Sequence, residues 1–202
     1  MALTYKKYKN YNQYLSHQSK KLNTLLPTQW GRNFDGRYKN FMKRLNESIS
    51  FMEGENVLCL GARTGEEVKA FRDLGFKNTK GIDLNPGPNN NYVEKGDFHN
   101  LTNKDNEIDT IYTNCLDHSF DLEKIINEIN RVMKKDGTLI LEFGTSFDNI
   151  NIEKHLYKSN KYESMLWNSL DDITKEFKLF TVVKKFKNPH CDYHTIILKK
   201  NS

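Results

Sequence analysis

The sequence predicts an α/β fold in which short strands alternate with helices, so that a parallel sheet carries helices on both faces. From residue 56 onward, short apolar runs such as NVLCL are separated by helical patterns such as EEVKAFRDLG. Near-continuous apolar runs are typical of parallel strands that are buried on both faces. Before residue 50 the pattern is helical and amphipathic, and the tail ends in two strand-like runs that predict a closing hairpin.

The elements follow in a regular order. Residues 1–50 are predicted to form a helical cap, in which Tyr11, Tyr14, Leu15, Gln18 and Leu22 share one face. The predicted strands are 56–60, 79–84, a stretch within 92–98, 107–114 and 138–143. The predicted helices are 66–75 with Gly75 as C-cap, 121–137 ended by Gly137, and a segment around 162–176; the hairpin is 177–186 with 193–200.

Composition limits the class of protein. A length of 202 residues suits one domain, and 31 basic against 26 acidic residues give a mild net charge of +5. The lysines are scattered, so we expect no nucleic-acid partner, although VVKKFKNP at 182–189 is either a basic patch or a solvated strand.

Targeting and redox signals are weak. No stretch approaches the ~20 apolar residues of a membrane span, and the first twenty residues contain no apolar core of a secretory signal. The cysteines, Cys59, Cys115 and Cys191, are far apart and odd in number. Together these features predict an intracellular, cytoplasmic setting without disulfides.

A glycine turn, Gly61-Ala62-Arg63-Thr64-Gly65-Glu66, follows the first strand of the sheet and opens a helix. Such a turn lets backbone approach a ligand closely, and the helix N-terminus supplies free N–H groups. A dinucleotide expects G-x-G-x-x-G, a spacing that this turn lacks, and Glu66 would repel a pyrophosphate. S-adenosylmethionine (SAM), which has no phosphate, fits better.

The next two strand ends carry carboxylates. Asp83, at the end of the second strand, can accept both hydrogen bonds of a ribose diol. Asp97, after the third, can accept from an adenine amino group, and Phe98 can flank the ring. Three strand ends in order therefore offer contacts for the amino acid, ribose and adenine of SAM.

These motifs resemble those of class I SAM-dependent methyltransferases of the methyltransferase-11 type. The first three motifs of that family resemble VLCLGARTG, GIDLNPG and KGDFHNL of this sequence. Residues 109–144 resemble the family's stretch through the fourth and fifth strands. The resemblance implies a Rossmann-like seven-stranded sheet with an antiparallel last strand. It also implies one methyltransferase domain over 1–202, with a cap at 1–50 and a SAM-binding core at 56–202. The cofactor residues that it implies are Gly61, Ala62, Arg63, Gly65, Asp83, Leu84, Asp97, Phe98, Asn114 and, from the cap, Gln18.

Two positions depart from the family pattern. Cys59 stands where an acid is usual, and Arg63 replaces the middle glycine of the first motif. A negative φ at Arg63 would turn its side chain away from the ligand. The side chain could instead pair with the SAM carboxylate, or with Glu66 or Glu67. A degenerate, non-catalytic copy that serves as a partner subunit is an alternative.

The acceptor side is expected beyond the fourth strand, at Asn114–Phe120. His118 is the candidate general base because its ordinary pKa is near neutrality. Asp117 could orient His118 or be the base itself, and packing is the alternative role for the histidine. Glu142, near the end of the fifth strand, is a third candidate.

Absent motifs exclude some acceptors. The chain lacks [DNS]-P-P-[YFW] and Pro-Cys after the fourth strand, which disfavours amino-methylation and C5-cytosine methylation of nucleic acids. We expect no metal, since Asp148-Asn149 comes late for the catechol-type pattern.

The acceptor prediction comes from two stretches. YNQYLSHQSKKL and NCLDHSFDL resemble segments of methyltransferases that modify sugars in glycans of bacteria and large DNA viruses, including domains of chlorovirus glycan-building proteins. Tyr11, Tyr14 and Trp30 could supply aromatic faces for a sugar, or simply dock the helix. The resemblance implies O-methylation of a sugar hydroxyl; a small molecule or RNA as acceptor is the alternative.

Overall fold

A computed structural model describes residues 3–28, 33–88, 90–144, 162–189 and 191–201. The strands are β1 (Leu3–Tyr5), β2 (Val57–Leu60), β3 (Thr79–Asp83), β4 (Val93–Lys95), β5 (Ile108–Thr113), β6 (Met133–Gly144), β7 (Met165–Trp167), β8 (Phe180–Lys187) and β9 (Tyr193–Lys200). The helices are α1 (Tyr11–Leu25), α2 (Phe34–Asn46), α3 (Glu66–Asp73), α4 (Leu122–Val132) and α5 (Leu170–Thr174). Trp30, Asp148 and Asn149 lie outside the described residues.

Seven strands form one sheet in the order β4-β3-β2-β5-β6-β9-β8. The first five of these pair in parallel, and β9 is antiparallel to both of its neighbours, β6 and β8. This arrangement confirms the predicted seven-stranded Rossmann-like sheet with an antiparallel last strand. The carboxyl ends of β2, β3, β4 and β5 consequently meet at one edge, where ligands of open α/β sheets bind.

The sheet is covered on both faces, as the buried runs predict. Along β2, Leu58 and Leu60 pack into one apolar cluster, while Val57 and Cys59 pack into the other. The first cluster takes the apolar stripe of α4, and the second takes apolar side chains of α2 and α3. Burial raises the pKa of the Cys59 thiol well above its usual value, so this cysteine is a core residue.

Helix α4 is shorter than predicted. It begins behind Asp121, whose side chain accepts from the Lys124 N–H at 3.0 Å, and it ends at Val132. Gly137 does not end the helix but lies within β6, where an added Cβ would stand 3.0 Å from the carbonyl oxygen of Asp109. The glycine is therefore required for close packing against the start of β5, which a helical reading of the sequence misses.

Two segments that are far apart in the sequence differ from the prediction because they pair with each other. Leu3–Tyr5 is a strand rather than part of a helix, and it pairs antiparallel with Met165–Trp167, where a helix was predicted. All three residues of β7 are buried, so their apolar run belongs to a buried strand. The helix of this region is limited to α5, which begins at a capping box of Ser169 and Asp172.

The lysine-rich run of the tail forms the edge strand β8. Lys185 Nζ lies 2.6 Å from Asp171, and Lys187 Nζ lies 3.3 Å from Asp192, so part of its charge is compensated. Among the described residues, none of the helices has the length and hydropathy that crossing a membrane requires.

Candidate active site

The glycine turn adopts the conformation that its glycines allow. Gly61 has a φ of +71°, and a Cβ there would lie 2.2 Å from the sulfur of Cys115. Gly65, with a φ of +86°, is the N-cap of α3, and a Cβ would lie 2.5 Å from that of Tyr92. Both glycines are needed for this turn. Gly61 leaves room for Cys115 at the ligand edge of the sheet, and Gly65 leaves room for Tyr92, which comes directly before β4.

Arg63 is held in the left-handed region with a φ of +44°, so the negative φ on which one of its two predicted orientations depended does not occur. Its N–H donates to Asp83 at 3.1 Å, and its carbonyl accepts from the Gly87 N–H at 3.0 Å and from the Asn90 amide at 2.8 Å. The surrounding hydrogen bonds therefore impose on arginine the conformation of the glycine that it replaces. Glu66 is bound by Arg37 and Thr64.

Replacing Arg63 with glycine should raise the free energy of unfolding by about 0.5–1 kcal/mol, because a non-glycine residue in this region is strained. If the arginine side chain also contacts the cofactor, the same variant should bind S-adenosylhomocysteine more weakly. Chemical denaturation and calorimetric titration measure the two effects. Asn106→Gly, at an exposed position with a φ of +54°, is the control and should leave binding unchanged. An Arg63→Gly protein with a lower free energy of unfolding than the wild type would contradict the claim that the backbone at Arg63 is strained.

Asp83 lies at the end of β3, as predicted, and faces the turn. One carboxylate oxygen accepts from the Asn85 N–H at 2.8 Å, and the other accepts from the Arg63 N–H. A carboxylate oxygen can accept more than one hydrogen bond, so both remain available to a diol.

Asp97 is already engaged by the cap. It accepts from the His99 N–H and from the His99 ring, each at 2.9 Å, and from the hydroxyl of Tyr11 on α1. Burial opposes its ionisation, but these hydrogen bonds outweigh burial and lower its pKa. The contact with Tyr11 was not foreseen, since the sequence gives no sign of which cap residue reaches the third strand end.

Two adjoining cavities lie at this edge of the sheet, an inner one of about 50 Å³ and an outer one of about 290 Å³. The inner cavity is lined by the predicted cofactor residues Gln18, Gly61, Arg63, Asp83, Leu84 and Phe98. Ala62, Asn114 and Asp117 line the outer cavity. Five residues line both: Lys21, Gly61, Arg63, Cys115 and His118. Gly65 and Asp97 line neither cavity.

The inner cavity has the chemistry that SAM needs. Tyr14 of α1 is fully buried and lines this cavity, and its hydroxyl has no hydrogen-bond partner within the described residues. A buried hydroxyl of this kind calls for a polar ligand atom. Together with the carboxylate of Asp83 and the backbone of Gly61, it offers the polar contacts that the cofactor needs, although the cavity as it stands has a volume for only a few waters.

The predicted base His118 is not free. Its Nδ1–H donates to the carbonyl of Tyr162 at 2.8 Å, which leaves Nε2 as the acceptor, and Nε2 contacts Nζ of Lys21. Burial and the neighbouring Lys21 lower the pKa of His118 well below its usual value. Asp117 lies 3.5 Å from Nε2 rather than beside the Nδ1–H, so it does not orient the ring as predicted. Burial raises the Asp117 pKa.

Lys21 is a candidate that the sequence left undecided between a contact with the SAM carboxylate and a solvated side chain. Burial lowers its pKa to about 8, with a further contribution from Arg63. Its spacing from Tyr14 and Gln18 places it on the same helical face, which was the available signal. Gln18 itself donates to the carbonyl of Tyr162 at 2.7 Å and to Ser164 at 2.8 Å, so it also anchors the cap.

Glu142 serves a structural purpose. It is completely buried, lies 2.8 Å from the Arg44 guanidinium and accepts from the hydroxyl of Tyr112 at 2.5 Å. This interior ion pair removes it from the candidates for a base. No group of three metal-ligating side chains occurs in the parts of the chain that are described.

The chain is similar in sequence and in fold to known proteins. Residues 58–141 match the family model described as a methyltransferase domain. The uncharacterized protein MJ1252 of Methanocaldococcus jannaschii is 28% identical over 138 residues, which is 64% of this chain and 54% of that protein. The chain thus matches about half the length of this curated relative.

Two solved structures share the fold. A methyltransferase in complex with the Haloferax volcanii activator Trm112 superimposes with a TM-score of 0.71 at 16% identity, covering 92% of this chain and 98% of that one. The 1,6-didemethyltoxoflavin-N1-methyltransferase of Burkholderia thailandensis was solved with bound S-adenosylhomocysteine. It superimposes with a TM-score of 0.69 at 13% identity, covering 98% of this chain and 94% of that one.

The sheet order and the match of residues 58–141 to a methyltransferase domain together give the chain the fold of class I SAM-dependent methyltransferases. The match to a methyltransferase domain, together with the S-adenosylhomocysteine held by the Burkholderia structure, implies S-adenosylmethionine as the cofactor.

Proposed function

We propose that the protein transfers the methyl group of SAM to a hydroxyl of a sugar in a glycan. The observation that carries the proposal is the junction of the two cavities, where five residues line both. A cofactor in the inner cavity and an acceptor in the outer one would meet there. Alignment of the two reactants is the main task of such an enzyme.

Each of these residues of the inner cavity would bind a different part of the cofactor. The backbone at Gly61 would hold the amino-acid end, Asp83 the ribose, and Phe98 the adenine, with Tyr14 supplying a hydroxyl. When bound, SAM supplies an electrophilic methyl group on a sulfonium. The protein's part is to orient the acceptor oxygen, exclude water and receive its proton.

The lining of the outer cavity supports a polar acceptor. Arg37, Glu66 and Asn114 offer donors and acceptors, and the rings of Phe41 and Tyr193 also line it. Polar groups beside aromatic rings suit a sugar. The relatives named above are archaeal or bacterial, and none of their names mentions a sugar or a virus, so the acceptor rests on this lining and the N-terminal resemblance.

A small-molecule acceptor is the second candidate. The methyltransferase of B. thailandensis acts on a nitrogen of a small molecule. Glu67 also lines the outer cavity, and burial raises its pKa to about 8, with Glu66 adding to the shift. A neutral carboxyl group here could donate a hydrogen bond to a heterocycle. RNA is less favoured, since two lysines of β8 are paired with carboxylates.

A partner subunit is a further proposal. A methyltransferase of this fold was solved with an activator protein, and a chain of the same fold could need or serve such a partner. A catalytically silent partner would fail to bind SAM, whereas an enzyme would bind it.

Calorimetric titration with S-adenosylhomocysteine should give micromolar or tighter binding. Radiolabelled SAM with a panel of methyl hexosides, deoxyhexosides and heterocyclic amines should then label a sugar. Labelling of an amine alone would favour the second candidate. The absence of binding at millimolar ligand would contradict methyl transfer and favour the silent partner.

A further inference from the structure

We propose that Lys21, rather than His118, takes the proton of the acceptor, and that His118 holds the lysine in position. The inference rests on the proposed methyl transfer and deepens it. Both side chains line the two cavities at their junction, where donor and acceptor would meet.

The hydrogen bonds fix the roles of the two groups. The carbonyl of Tyr162 can only accept, so the Nδ1 of His118 must carry the proton and Nε2 must be the acceptor. Nζ of Lys21 contacts that Nε2, so the lone pair on the basic nitrogen of the ring is already engaged by the lysine. A base needs a free lone pair, and neutral Lys21 retains one after it donates to His118.

Electrostatics favour the same assignment. The Nζ of Lys21 contacts His118, and it also interacts electrostatically with Arg63 of the glycine turn, with Cys115 and Asp117 after β5, and with Glu163 before β7. Burial is the largest cause that lowers the pKa of Lys21 to about 8, and Arg63 adds to it, while Asp117 and Glu163 oppose it. Since the pKa of His118 is lowered well below 6.5, the lysine is the stronger base of the pair.

The proposed step is balanced. The proton of the acceptor hydroxyl passes to Nζ of neutral Lys21, which becomes an ammonium group. The electron pair of the acceptor oxygen forms the bond to the methyl carbon as the carbon–sulfur bond breaks, and that bonding pair stays on sulfur. The positive charge thus ends on Lys21, and no further reactant is required. A general base with a pKa near the working pH is the efficient choice.

The test needs no acceptor. SAM is a cation at sulfur and S-adenosylhomocysteine is neutral there, so SAM should prefer the protein with neutral Lys21. Between about pH 7 and pH 9, the affinity for SAM relative to S-adenosylhomocysteine should rise by up to about 10-fold in the wild-type protein, as the neutral fraction grows. Calorimetry with both ligands measures this ratio.

Two substitutions bracket the expected behaviour. Lys21→Arg keeps the charge at all these pH values, so its ratio should lack the wild-type rise; Lys21→Met is always neutral and should prefer SAM more strongly at the lower pH. Lys20→Arg, on the exposed side of α1, is the matched control and should follow the wild type. His118→Asn removes the acceptor of the ammonium group and should move the midpoint to lower pH.

The outcomes are distinct. A ratio in Lys21→Arg or Lys21→Met that follows the wild-type curve would overturn the role of Lys21 and leave the proposed function standing. Failure of both ligands to bind the wild-type protein would overturn the methyl transfer itself. A rise of the affinity ratio with pH in the wild-type protein that is absent from Lys21→Arg and Lys21→Met supports the proposed role of Lys21.

Discussion

Replacing Arg44 with alanine should lower the free energy of unfolding by about 3–5 kcal/mol, because it leaves a buried charge without its partner. The guanidinium of Arg44 lies 2.8 Å from Glu142, which is completely buried, and it lies 4.2 Å from the ring centre of Phe41 and 4.4 Å from that of Tyr193. Urea denaturation of the wild type and the variant measures the difference.

Two controls separate the charge effect from the loss of packing. Lys187→Ala removes the exposed ion pair with Asp192 and should change stability by no more than about 0.5 kcal/mol. Arg44→Met combined with Glu142→Leu removes both buried charges and should recover a large part of the loss. A double variant as unstable as Arg44→Ala would show that packing, rather than the unpaired carboxylate, dominates.

Replacing Asp83 with asparagine should weaken the binding of S-adenosylhomocysteine by about 10- to 100-fold. Hydrogen bonds to a charged group contribute about 1.5–3 kcal/mol, and asparagine offers one acceptor oxygen where aspartate offers two. Calorimetric titration at constant pH measures the change.

Glu94→Gln, an exposed neutralisation on the neighbouring strand β4, should leave the affinity unchanged and serves as the control. Since Asp83 also accepts from the Arg63 N–H, a thermal melt of each variant shows whether the turn itself has loosened. Unchanged affinity in a stable Asp83→Asn protein would contradict the proposal that Asp83 binds the ribose.

The sheet could be predicted because its signals are local. The four residues of β2 are all buried, so an unbroken apolar run marks them, and Gly61 is required by a contact that leaves no room for a side chain. Asp83 follows from the same logic, since a strand end in a parallel sheet fixes which edge its side chain faces.

The features that escaped prediction depend on partners far away in the sequence. The conformation of Arg63 is set by Asp83, Gly87 and Asn90, which no propensity of arginine reveals. The neutral state of His118 follows from burial and from Lys21 on the cap. The strand character of 165–167 depends on pairing with Leu3–Tyr5, so its apolar run alone could equally read as helix.

The pairing of β1 with β7 has a consequence for synthesis on the ribosome. Leu3–Tyr5 emerges early, but its partner Met165–Trp167 is made only after the strands from β2 to β6. The hydrogen bond between the hydroxyls of Tyr8 and Ser164, at 2.8 Å, also forms only after residue 164 has been made. The nascent chain can therefore assemble the parallel part of the sheet first, and the β1 segment completes its pairing only after residues 165–167 have been made.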